Sequence, residues 1–173
     1  MSLRVRITDK EINERIELNY KRLLEPYYQI EEVFSPSDYD WYGDKEGRAL
    51  LSFVSLYKAT DKKNPCMDKM LGAIKDKLNE KLYFGPVYKE GGYIREEQLS
   101  GHSWFLRGLC EHYEQFADAY SLELLKAVTE NLFLPTKGIY GTYPIDRSQK
   151  DEGGVGGTEI GVVGRWMLSS DVG

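Results

Sequence analysis

An internal repeat constrains this chain more than any other feature of its sequence. Two helix-hairpin patterns follow one another at an offset of about 55 residues. In the first, Leu50, Phe53, Val54 and Tyr57 form one apolar stripe, and Met70, Leu71, Ile74 and Leu78 form the next. In the second, Leu106, Leu109, Cys110 and Tyr113 are followed by Leu124, Leu125, Val128 and Leu132. Steps of three and four residues put each set on one face of a helix. Such a hairpin cannot bury its apolar face alone, so successive units have to stack and share a core. The repeat predicts an all-α protein built from antiparallel helix hairpins.

Capping and breaking residues divide the pattern. Thr8 and Glu11 make a capping-box pattern ahead of Ile12, Ile16, Tyr20, Leu23 and Tyr27, which predicts a first helix from about Asp9 to about Glu32. Ser35-Pro36-Ser37-Asp38 closes it, and Tyr39 to Gly43 reads as an aromatic turn. The first hairpin then runs from Lys45 to Ala59 and onward from Pro65, with Asn64 as the cap of its second helix. The second hairpin runs from Ser100 to Phe116 and from a Ser121 cap to about Phe133. Each unit ends in Gly and Tyr, at Gly85 to Tyr88 and at Gly138 to Tyr143. The Gly153 to Gly157 run leads into a third unit whose first helix is expected over Thr158 to Ser169. That run is not a phosphate loop, because it lacks a preceding apolar strand and a GxxxxGK[ST] pattern.

Composition narrows the class of function. A net charge of -5 and the lack of any Lys/Arg-rich run argue against nucleic acid or an anionic membrane as partner. No apolar run approaches the ~20 residues of a membrane span, and Met1 to Ile7 has no signal-peptide core, so a cytoplasmic location is expected. Cys66 and Cys110 lie far apart on apolar helical faces and read as buried free thiols. With only His102 and His112 beside them, no metal and no cofactor is expected. No nucleophilic Ser or Cys pattern with a partnered His supports acyl transfer, and the Asp-rich motifs of isoprenoid-processing helical enzymes are missing. Aromatic residues make up 13% of the chain, and many of its Tyr and Trp fall at the hairpin connections. Aromatic rings beside turns also make the walls of sugar sites.

Two stretches carry a resemblance to a known superfamily: Trp41-Tyr42-Gly43-Asp44-Lys45-Glu46-Gly47-Arg48-Ala49-Leu50-Leu51 and Ser100-Gly101-His102-Ser103-Trp104-Phe105-Leu106-Arg107-Gly108-Leu109. With the hairpin repeat, they resemble the α/α toroid of the six-hairpin glycosidases, the nearest group being glycoside hydrolase family 127, the β-L-arabinofuranosidase-like proteins. The resemblance implies that residues 1–173 form a single, incomplete toroid domain, about half of a six-hairpin barrel. It also implies a Gly-His dipeptide opening an inner helix, with the His facing the sugar. The zinc site of that group is not matched, since Cys66 and Cys110 have no adjacent Cys or Glu.

In such a toroid the residues before each inner helix converge on one mouth. Asp40, Trp41 and Asp44 precede the first inner helix; Glu96, Glu97, Gln98 and His102 precede the second. The expected substrate-binding residues are Trp41, Asp44, Gln98, His102 and Trp104, with an oligosaccharide or glycoside as partner and no catalytic residue assigned. Glycoside hydrolysis needs two carboxyls about the scissile bond, and an aromatic ring often holds the sugar face. Glu159 and Trp166 would complete the mouth. His102 is expected in the first turn of its helix, facing the cleft or else capping the helix, whereas His112 reads as structural. Trp41 and Trp104 suit either a stacking platform or an inter-helix core. The rival expectation is a non-catalytic helical-repeat scaffold that binds a protein partner, or a second copy of itself through the open end of the array.

Overall fold

A computed structural model describes residues 8–36, 41–90, 94 and 96–136. The expectations for Asp40, Gly138 to Tyr143, the Gly153 to Gly157 run, Thr158 to Ser169, Glu159 and Trp166 lie outside these residues. Among the described residues all regular structure is helical: α1 (Lys10–Arg22), α2 (Ile30–Val33), α3 (Asp44–Thr60), α4 (Pro65–Ile74), α5 (Glu96–Phe116) and α6 (Ala119–Val128). A 3-10 turn, Pro26–Tyr28, links α1 to α2, and a π-helical turn, Thr129–Phe133, extends α6. The all-α class follows.

The repeat is visible in the backbone as well as in the side chains. Asp61 and Ala117, each just past the first helix of its hairpin, both have a left-handed φ, 57° and 51°. Their amides bond to the carbonyls of Tyr57 at 2.8 Å and Tyr113 at 2.7 Å, a matched pair in the apolar stripes. A left-handed residue here closes the helix and reverses the chain. The next helix of each hairpin has an Asx cap: Asn64 accepts from the Cys66 amide at 2.8 Å, and Asp118 from the Ser121 amide at 2.8 Å. Asn64 and Pro65 therefore sit where expected. In the second hairpin the cap is Asp118, not Ser121, because the connection is shorter than in the first.

α3 and α5, the first helices of the two hairpins, form the main packing interface. Gly43 faces Gly101 and Phe105, Gly47 faces Trp104 and Phe105, and Lys58 pairs with Glu111 at 2.5 Å further along. Positions advance together along both helices, so α3 and α5 run parallel. A Cβ on Gly47 would overlap the backbone of Trp104 and Phe105, and one on Gly108 would lie 2.6 Å from the Gly47 carbonyl oxygen. Backbones that approach this closely leave no room for a side chain at the seam. Leu50, Phe53, Leu106 and Leu109 flank it in the core, which Met67, Met70, Ile74, Leu124, Leu125 and Val128 complete from α4 and α6.

Further boundaries differ from expectation, and α4 is one of them: it stops at Ile74, short of Leu78. The first helix does not run from Asp9 to Glu32: it stops at Arg22, and Pro26 starts the 3-10 turn, since a Pro cannot donate within a helix. Its cap is Asp9, which accepts from the Ile12 amide at 2.9 Å, rather than Thr8. Nor does the first helix of the second hairpin start at Ser100. It starts at Glu96, so Gly101 is an interior residue, and a Cβ there would overlap the carbonyl of Tyr42. The glycine marks a close approach between elements, not a helix end.

Candidate functional site

The first turn of α3 stands between two half-open depressions. Gly43, with φ 89°, begins α3 without a side-chain cap; just ahead of it Trp41 is exposed, whereas Tyr42 is half-buried and packs against the core. The larger depression, about 490 Å³, is walled by Phe34, Trp41, Tyr42 and Phe84, with Asp44, Lys45, Glu46 and Lys77 as its charged groups. The smaller, about 380 Å³, lies beside it and is bounded by Tyr27, Tyr28, Asp44, Arg48, Ser52 and Trp104. Asp44 and Lys45 belong to both.

Of the five expected site residues, three line this region. Trp41 is 40% exposed at the larger depression, an open aromatic face on the protein surface. Asp44 accepts from the Arg48 guanidinium through both carboxylate oxygens, at 2.9 and 3.0 Å. The same guanidinium lies 4.0 Å from the centroid of the Trp104 ring, and Arg107 approaches that ring at 5.5 Å. Asp44 on α3 and Trp104 on α5 are thus linked through Arg48. Trp104 has two guanidinium groups near its ring, and its buried indole N–H has no hydrogen-bond partner among the described residues.

Gln98 and His102 are placed elsewhere. The expectation of a His102 imidazole facing out into a mouth is corrected, because the ring is fully buried and both its nitrogens are engaged within the chain. Nε2 accepts from the Phe84 amide at 3.0 Å, and Nδ1 lies 2.6 Å from the Gln98 carbonyl. A carbonyl can only accept and an amide can only donate, so the proton sits on Nδ1 and the ring is neutral. Burial lowers its pKa to about 4, with the Gln98 carbonyl opposing the shift. The Gln98 amide donates to the carbonyls of Phe84 at 3.1 Å and Pro86 at 2.9 Å. One turn apart on α5, these two side chains hold the 84–86 backbone and so place Phe84 in the wall of the larger depression. Starting α5 at Glu96 puts both residues on the buried face, which is why neither reaches the opening.

Sequence reasoning missed Glu46. It lines the larger depression, and burial raises its pKa, while the amides of Glu46 and Gly43 and the Lys45 ammonium pull the other way. Asp44 has an Arg partner; among the described residues Glu46 has no ion pair. Two carboxyls in unlike surroundings on one turn are the usual raw material of acid–base chemistry. The signal was the i, i+2 pair Asp44 and Glu46 at a helix start, a pattern too common on surfaces to single out.

The other polar candidates are structural. His112 is buried, with Nδ1 2.8 Å from the Ser121 hydroxyl, which itself donates to Asp118 at 2.9 Å. Cys66 and Cys110 are buried free thiols, as expected, and burial with Glu114 and Glu111 nearby pushes the Cys110 thiol up. Among the described residues no group of three or more His, Cys, Asp or Glu could hold a metal ion, and no helix is long and apolar enough to cross a membrane.

Comparison with known proteins adds no neighbour: no family model, no curated protein and no solved structure matches the chain.

Proposed function

We propose that this chain carries consecutive hairpins of an α/α toroid and binds a carbohydrate in the cleft before α3. The observation that supports the reading is Trp41, an exposed ring standing beside Asp44, Glu46 and the Tyr42 ring in a depression of about 490 Å³. An aromatic face with carboxyls at its edge matches a sugar ring, which offers an apolar C–H face and a rim of hydroxyls. Parallel packing of α3 and α5 is the arrangement of inner helices in such a toroid, and it supports the architecture. Hydrolysis of a glycoside is the reaction the paired carboxyls would serve, with the rest of the cleft supplied by further hairpins.

Titration with a panel of plant-type oligosaccharides, followed by Trp fluorescence, tests this. Trp41→Ala is expected to weaken binding by tenfold or more, about 1.4 kcal/mol, while changing thermal stability little because the ring is partly exposed. Absence of binding across the panel would overturn the reading in favour of the helical-repeat scaffold. One observation favours that second reading: Ile12, Leu18 and Leu24 leave apolar side chains exposed on and just after α1, where a partner could cover them.

A further inference from the structure

The larger depression is lined by two acids, Asp44 and Glu46, and two bases, Lys45 and Lys77, which are not partnered alike. Asp44 is answered by Arg48 at 2.9 Å. Lys45 is also occupied, since its ammonium donates to the Ser35 hydroxyl at 2.9 Å and stands 4.0 Å from Glu32. Lys77 is different: its ammonium lies 5.9 Å from the centroid of the Phe34 ring, and among the described residues no carboxylate pairs with it. Phe34 is itself a wall of the depression, so this uncommitted cation stands at the rim. Glu46 faces the same space, where its carboxylate can accept hydrogen bonds from hydroxyl groups.

We infer that the cleft takes a sugar bearing a carboxylate, a uronic acid residue, and that Lys77 is the side chain that reads its charge. This rests on the sugar-binding reading above and sharpens it. The ring face would lie on Trp41, the hydroxyls would meet Glu46 and Ser35, and the carboxylate would meet Lys77. A single ammonium suits a monovalent carboxylate, whereas a phosphate is usually met by several donors or an Arg fork.

The test compares digalacturonate with neutral galactobiose by calorimetric titration of the wild-type chain and of Lys77→Met. Lys77 is exposed, so the variant is expected to melt like the wild type. We expect the wild type to prefer digalacturonate by about fivefold or more, the preference to shrink in 0.5 M salt, and Lys77→Met to bind both ligands alike. Equal affinity of the wild type for the two disaccharides would overturn the charge assignment and leave the sugar-binding reading standing. A preference that survives in Lys77→Met would overturn the role of Lys77. Failure of both disaccharides and of every neutral oligosaccharide in the wider panel would remove the sugar-binding reading itself, and this inference with it.

Discussion

His102 lies in the expected stretch of sequence, yet its side chain works one layer behind the cleft, holding a loop instead of facing a ligand. Its lowered pKa, about 4 against an ordinary 6.5, is a statement about stability. The folded chain holds the imidazole neutral, so the unfolded chain binds the proton more readily between those two values. Stability therefore rises with pH across that window, and it falls as pH drops from about 6.5 toward 4, by an amount on the order of 2–3 kcal/mol. Urea melts at stepped pH should show that slope, and His102→Gln should flatten it while lowering stability at neutral pH, since the Phe84 amide and the Gln98 carbonyl each risk losing a partner. A slope unchanged in the variant would assign the acid sensitivity to other groups. The residue's identity was legible in the Gly101-His102 dipeptide. Its orientation was not, because that depends on the 84–86 backbone, which the helical period does not reveal.

At the scale of elements, the hairpin connections carry the clearest imprint of the repeat. Asp61 tolerates a left-handed conformation better than most residues, but Ala117 has no side chain to compensate for it. Replacing Ala117 with Gly should raise stability by about 0.5–1 kcal/mol, read as a higher denaturation midpoint at unchanged slope. A lower midpoint would mean that the added backbone freedom of the unfolded chain outweighs the relieved strain. Caps and stops of this kind were readable at Asn64-Pro65, where cap and first helical residue lie next to each other in sequence. They were misread at Ser100-Gly101, where a glycine in a helix interior looks the same as a glycine at its start until the Tyr42 carbonyl pressing on it is seen.

For the molecule as a whole, the glycine seam between α3 and α5 decides whether the two hairpins form one core. Gly47→Ala would drive a methyl into the α5 backbone and should cost about 3 kcal/mol or more, because two helices must separate along their length. Gly72→Ala is the matching control: a Cβ there meets nothing within 4 Å, and an Ala within α4 should stabilise by about 0.5–1 kcal/mol. Opposite signs for one and the same substitution, measured by thermal or chemical unfolding, would establish the seam as the joint between units. Equal small effects would show that the helices can slide apart at little cost.

The sequence by itself determined that the chain is helical, that it repeats, where the helices of its first hairpin begin to within a few residues, and most of the apolar side chains that the two hairpins bury, though not that Ile12 and Tyr27 of the first stripe stay exposed. Those are local properties, written in periodicity, caps and breakers, and they need no knowledge of what packs on what. It also pointed to Trp41 and Asp44 at the start of α3 and to Trp104 on α5, three of the five expected site residues, which do line neighbouring depressions. Tertiary structure alone decided that Gln98 and His102 turn inward to hold a loop, that Glu46 joins the cleft, and that Arg48 ties Asp44 to Trp104. Each of those outcomes depends on a partner distant in sequence, and a side chain's exposure, charge balance and hydrogen bonds are fixed only when that partner arrives.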